Sequence, residues 1–108
     1  MIRWFDNLYL DEAAARHPKA YRRRVESERR LKRHCNVIAL ASNEDNLFDI
    51  FDTKELYFRY NRSRDIYVVG LAATYEDAVE LLSKMVLEII QEENSFTPRK
   101  YFSKERFK

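Results

Sequence analysis

Two stretches of the chain decide the fold: IALASNED at residues 38–45 and VGLAATYED at residues 69–77. In each stretch an apolar run ends in Leu-Ala and leads, within two residues, to a hydroxyl side chain and then to an acidic pair. A continuous apolar run is typical of a strand that is covered on both faces. A Ser or Thr followed by acidic residues is typical of a helix amino terminus. The repeat therefore predicts two strand–helix units in succession.

The chain from residue 36 to residue 94 is predicted to form the order β-α-β-β-α. The expected elements are a strand at Asn36–Ala41, a helix capped at Ser42 and ending near Asp52, an edge strand at Leu56–Tyr60, a strand at Ile66–Ala72, and a long helix capped at Thr74 whose broad apolar face is deeply packed.

A further strand from the tail, near Phe96 or Tyr101-Phe102, would complete a ferredoxin-like split β-α-β-β-α(-β) core of the α+β class. In that topology the strands at residues 36–41 and 66–72 are neighbours and run parallel. The alternative is a three-stranded sheet with helices, around which the tail wraps.

Residues 1–34 are predicted to be a basic, helical N-terminal extension of this core. Asp11 to Arg16 is strong helix-forming sequence, His17-Pro18 interrupts it, and a second helix is expected from Pro18 to about His34. Residues 35–94 then form the α+β core and residues 95–108 a basic, aromatic tail, all within one domain.

Composition limits the classes of protein to which the chain can belong. The start lacks the pattern of a signal peptide, and the longest apolar run, residues 66–73, is too short to span a bilayer. With one cysteine there is no internal disulfide, which favours the cytoplasm. With one glycine there is no glycine-rich phosphate loop, and no cofactor or metal site is predicted. Cys35, beside His34, is expected to be a buried structural residue.

The charge is distributed unevenly along the chain. Residues 1–34 carry a net charge of +5, residues 35–94 carry −7 and residues 95–108 carry +4. Basic residues interleaved with aromatic ones can bind phosphates and stack on bases. The candidates for nucleic-acid binding are Arg22, Arg23, Arg29, Arg30, Arg33, Arg99, Lys100 and Tyr101.

The leading functional hypothesis is a non-enzymatic interaction module that forms a homodimer. The basic helix offers too little apolar surface to cover a second face of the sheet, so a second chain is expected to complete the cover. Trp4, Phe5 and Tyr21 are the predicted interface residues. The alternative is an accessory protein whose basic ends bind nucleic acid. The same ends could instead bind an acidic protein partner or the acidic middle of the chain itself.

Overall fold

The computed structural model describes residues 1–26, 34–41, 46–56, 65–94 and 97–108. The strands are β1 (Ile2–Leu10), β2 (Asn36–Leu40), β3 (Phe48–Asp52) and β4 (Ile66–Ala72), and the main helices are α1 (Glu12–Arg16), α2 (Pro18–Glu26) and α3 (Tyr75–Glu93). Short 3-10 helices lie at Thr53–Glu55 and Lys104–Arg106, and a four-residue helix lies at Pro98–Tyr101.

The four strands form one mixed sheet in the order β1-β4-β2-β3. β1 runs parallel to β4, whereas β2 is antiparallel to both β4 and β3. The expected adjacency of β2 and β4 is confirmed, but the expectation that they are parallel is wrong. The chain is thus a small α+β domain, and the ferredoxin-like order is not confirmed.

The helix expected between Ser42 and Asp52 is wrong for its second half, which is strand β3. Phe48, Ile50 and Phe51 have a spacing that suits a helix, but it also suits a strand with apolar neighbours on both faces. β3 pairs with β2 over its whole length, from Phe48 opposite Leu40 to Asp52 opposite Asn36. The proposed cap at Ser42 lies outside the described residues.

The helical N-terminal extension is wrong for Ile2–Leu10, which form edge strand β1. Trp4 lies opposite Val68 and Tyr9 opposite Gly70, so the register shifts between Trp4 and Tyr9. Asp6 and Asn7 lie in that irregular stretch and are exposed. These two polar residues interrupt the apolar pattern, which is why the strand was not predicted from sequence.

The helix signals that are local in sequence are confirmed. Asp11 caps α1 by accepting a hydrogen bond from the Ala14 amide, and Pro18 opens α2. The Thr74 hydroxyl oxygen accepts a hydrogen bond from the Asp77 amide at 3.1 Å and so caps α3. The continuation of α2 toward His34 lies largely outside the described residues, as does the edge strand expected at Leu56–Tyr60.

Two buried clusters lie on opposite faces of the sheet. Trp4 and Phe5 are consecutive on β1, so their side chains point to opposite faces. Trp4 belongs to the first cluster, which α1 and α2 cover with Ala14, Tyr21 and Val25. Phe5 belongs to the second cluster, which α3 and the C-terminal residues cover; their buried members are Ala78, Met85, Ile89, Phe102 and Phe107.

The tail packs against β1 without adding a full strand. Phe107 forms an isolated antiparallel bridge to Phe5, and the Lys108 amide donates to the Trp4 carbonyl at 2.9 Å. Among the described residues the fourth strand of the sheet is β1. Tyr101 ends the four-residue helix and Phe102 follows it, so neither forms the expected strand, and Phe96 lies outside the described residues. No helix among the described residues is both long and apolar enough to cross a membrane.

Candidate functional site

A cleft opens where the two parallel strands, β1 and β4, reach their carboxyl ends. β1 leads into α1 on the first face of the sheet, and β4 leads into α3 on the second face. Neighbouring parallel strands whose following helices diverge in this way leave a crevice, which is where open α/β sheets commonly bind ligands. The cleft encloses about 430 Å³, a volume within the range of small-molecule sites.

Asp11 holds the two sides of this cleft together. One carboxylate oxygen accepts from the Ala14 amide at 2.7 Å, and the other accepts from the Ala73 amide at 2.9 Å. The Asp11 amide in turn donates to the Leu71 carbonyl at 3.1 Å. A single side chain therefore ties the β1–α1 turn to the β4–α3 turn.

The charged walls of the cleft are paired within each helix. On α1, Arg16 contacts Glu12 at 2.6 Å, and on α3, Lys84 contacts Glu80 at 3.6 Å. The side chains that line the cleft among the described residues include no hydroxyl, thiol or imidazole. The functional groups of this part of the cleft are the carboxylates of Asp11, Glu12, Asp77 and Glu80 and the cationic groups of Arg16 and Lys84.

The predicted nucleic-acid residues of α2 pack partly on the protein's own aromatic rings. The Arg22 guanidinium lies 4.6 Å from the centre of the Trp4 ring, and the neighbouring Arg24 lies 4.2 Å from the Tyr21 ring. Arg23 is exposed. The other predicted members of this group, Arg29, Arg30 and Arg33, lie outside the described residues.

The predicted residues of the tail lie on the other side of the sheet. Arg99 and Lys100 are exposed, whereas the Tyr101 hydroxyl is 2.9 Å from the hydroxyl of Tyr9. The pKa of Tyr9 is raised, chiefly because its hydroxyl is buried and secondly because of this hydrogen bond. Phe102 and Phe107 anchor the tail in the second cluster, while α2 covers the first. The two basic segments are therefore on opposite faces of the sheet.

The aromatic residues predicted at a dimer interface are used within the chain. Trp4 is 7% exposed, Phe5 is 3% exposed and Tyr21 is 7% exposed. The Phe5 ring lies 4.8 Å from the Phe102 ring and 5.3 Å from the Phe107 ring. Because one chain buries these rings, their abundance is no longer a reason to expect them between two chains.

Cys35 lies in the first cluster with no exposed surface. Its thiol is 4.0 Å from the Tyr21 carbonyl oxygen. Burial raises the pKa of this thiol to about 12, although the charge of Arg24 acts in the opposite direction. A thiol that stays protonated at neutral pH is a poor nucleophile.

The outer surface of α3 carries an apolar strip, and three of its members, Val79, Val86 and Ile90, belong to the face that the sequence predicts to be deeply packed. Tyr75 is 56% exposed, Val79 is 41% exposed and Ile90 is 40% exposed, and Val86 beside them is half-buried. At 3.6 residues per turn these four side chains fall within about 60° of one another around the helix axis. We call them the α3 row. The nine apolar residues between Ala78 and Ile90 were the available signal, because so broad a face exceeds what one sheet contacts.

Comparisons with protein-family models, with curated proteins and with solved structures find no match for this chain. The functional interpretation therefore depends on the geometry of the chain itself.

Proposed function

We propose that the protein is a non-enzymatic interaction module that associates with a second copy of itself. The observation that carries the proposal is the α3 row. Single exposed apolar residues are ordinary on protein surfaces, whereas a contiguous apolar strip is typical of a protein–protein contact. The α3 row joins three exposed apolar residues and the half-buried Val86 along about four turns of one helix.

The reason for expecting self-association differs from the reason that the sequence suggested. The first face of the sheet needs no second chain, because Val37, Ala39, Val68 and Leu71 on it are fully buried by the chain's own residues. The exposed apolar surface lies instead on the outer side of α3, which covers the second face. We therefore place the contact on α3 and not on Trp4, Phe5 or Tyr21.

The cysteine and the cleft support a non-enzymatic role. Cys35 is buried and its pKa is raised, so its thiol is a poor nucleophile. In the cleft, Lys84 is paired with Glu80, and the Asp11 carboxylate accepts from two backbone amides. A single buried thiol is also stable in a reducing environment, so the cytoplasm is the proposed location.

Nucleic-acid binding is the weaker candidate because the basic segments do not form one surface. Arg22 and Arg24 pack on aromatic rings of the first face, and Arg99 and Lys100 lie with the second face. If these residues bind nucleic acid, affinity falls log-linearly with salt, and replacing Arg22, Arg23, Arg29 and Arg30 by Gln lowers that slope. We expect no such binding at physiological salt.

The solution mass tests self-association directly. At about 50 μM, a concentration at which a micromolar homodimer is mostly assembled, light scattering should give twice the 13.1 kDa of one chain. Val79→Glu combined with Ile90→Glu should give 13.1 kDa. Glu is a good helix former, so the helical circular dichroism should be retained in the variant.

A matched control is Leu47→Glu, which places the same charge on a residue that is exposed but is not part of α3. This variant should keep the dimer mass. A wild-type mass of one chain at this concentration would overturn the proposal, as would a double variant that remains a dimer.

A further inference from the structure

The spacing of the α3 row is symmetric along the helix. Its members follow one another at intervals of four, seven and four residues. The midpoint of Tyr75 and Ile90 coincides with the midpoint of Val79 and Val86, and it falls between Leu82 and Ser83. An arrangement with this property is self-complementary when a second copy is turned end for end.

A two-fold contact requires this self-complementarity. In an isologous interface the same patch is used by both copies, so residue i meets residue j and residue j meets residue i. An antiparallel pair of α3 helices, centred between Leu82 and Ser83, sets Tyr75 against Ile90 of the second copy. The same arrangement sets Val79 against Val86. A parallel pair would instead set each residue against itself, with the bulky Tyr75 rings opposed.

The charges of α3 agree with the antiparallel orientation. α3 carries six acidic residues and one lysine, so a second α3 is a favourable partner only if most carboxylates lie away from the contact. Four of the six, Asp77, Glu80, Glu88 and Glu92, lie about 110° or more around the helix from the centre of the α3 row, and Glu76 lies about 70° from it. Glu93 lies in line with the row, and an antiparallel pair keeps the two copies of Glu93 at opposite ends of the contact, whereas a parallel pair would set them against each other.

We propose that two copies of the chain pair through antiparallel α3 helices about a two-fold axis that passes between Leu82 and Ser83. This inference rests on the proposed self-association and specifies its geometry. The partner is a second copy of this chain, because the symmetry of the row is a property that a two-fold contact uses and an unrelated partner does not need.

Disulfide trapping tests the geometry. Ser83 is exposed and lies on the outer edge of the row, where its hydroxyl donates to the Val79 carbonyl at 3.2 Å. Beside the axis, Ser83→Cys places two thiols within the distance that a disulfide spans. We expect this variant to form a covalent dimer rapidly on mild oxidation. The native Cys35 does not interfere, since it is fully buried.

Glu76→Cys is the matched control, because Glu76 is also exposed and on the outer side of α3. In the antiparallel pair the two copies of residue 76 are about 20 Å apart along the helix axis, so no disulfide forms.

The outcomes separate this inference from the proposed function. Cross-linking of Ser83→Cys but not of Glu76→Cys supports the antiparallel pair. If the wild type is a dimer that Val79→Glu with Ile90→Glu dissociates, but Ser83→Cys fails to cross-link or Glu76→Cys also cross-links, the geometry is overturned and self-association stands. A monomeric wild type overturns both.

Discussion

On one face of the sheet, two short helices bury almost all the large apolar side chains they carry, whereas on the other face α3 carries more than the sheet covers. α2 is rich in arginine, yet its two large apolar anchors, Tyr21 and Val25, are both buried. α3 buries Met85 and Ile89 but leaves Val79 and Ile90 on its outer surface. Burial of each such side chain stabilises the fold by about 1.5–3 kcal/mol, so two anchors are enough to hold a short helix.

This difference shows that net polarity is a poor guide to how well a helix covers a sheet. α2 looks too polar to pack, but α1 and the side chains of the strands supply the rest of the first cluster. α3 looks like an ideal core helix, but a helix contacts a sheet along one strip, and a wider apolar face extends beyond that strip. The uncovered apolar surface is therefore on α3, the helix that the sequence predicts to be the most deeply buried.

The largest change in the free energy of unfolding is expected for a substitution in the cluster on the first, fully covered face. Phe51 on β3 is buried among residues of that cluster, so Phe51→Ala should lower the free energy of unfolding by about 3–5 kcal/mol through lost burial and a cavity. Leu87→Ala on the outer surface of α3 should change it by less than about 0.5 kcal/mol. Urea unfolding followed by circular dichroism gives both values. If Phe51→Ala and Leu87→Ala lowered the free energy of unfolding equally, Phe51 would not be more deeply buried than Leu87.

A smaller loss of unfolding free energy is expected for a substitution of Asp11, which ties the β1–α1 turn to the β4–α3 turn. Asp11→Ala removes the acceptor of the Ala14 and Ala73 amides and should cost about 2–3 kcal/mol, since hydrogen bonds to a charged group are the stronger kind. The adjacent Glu12→Ala removes only the exposed pair with Arg16 and should cost no more than about 0.5 kcal/mol. If both variants unfold at the same urea concentration, Asp11 does not link the faces.

The loss expected at Cys35 is smaller again. Cys35→Ala exchanges one small buried side chain for another and should cost about 1 kcal/mol. With a pKa raised to about 12, the native thiol should react with a chromogenic disulfide reagent only as the protein opens. The exposed thiol of Ser83→Cys, in protein that is reduced and then freed of reductant immediately before the measurement, supplies the fast reference rate. Reaction of native Cys35 at that rate would show that the first face is not sealed.

The smallest effect concerns the exposed contact that fixes the tail. Two hydrogen bonds from Arg106, at 2.8 and 3.0 Å, hold the pKa of Asp6 below its ordinary value of 3.8. Because the folded-state pKa is lowered, the contribution of the pair is complete above pH 3.8 and is lost as the pH falls through the folded-state value.

An NMR titration of the Asp6 carboxyl group measures this shift. Arg106→Gln should return the pKa of Asp6 toward 3.8, whereas Lys100→Gln, which removes a charge elsewhere in the tail, should leave it lowered. An unchanged titration in Arg106→Gln would show that another group is responsible.

The sequence by itself determined the features that depend on near neighbours. The helix break at Pro18, the caps at Asp11 and Thr74, and the apolar strands β2 and β4 could all be recognised, because each signal lies within a few residues of the element it specifies. The same holds for Cys35, whose place before an apolar strand predicted its burial.

Only the tertiary structure decided which strands pair, in which direction, and what remains exposed. β1 is a strand because β4 lies beside it, and β3 is a strand because β2 offers backbone partners along its whole length. Those partners are distant in sequence, and the spacing of Phe48, Ile50 and Phe51 fits a helix as well as a strand. The α3 row follows the same rule: periodicity reveals a broad apolar face, but how much of it is buried depends on the width of the sheet surface beneath it.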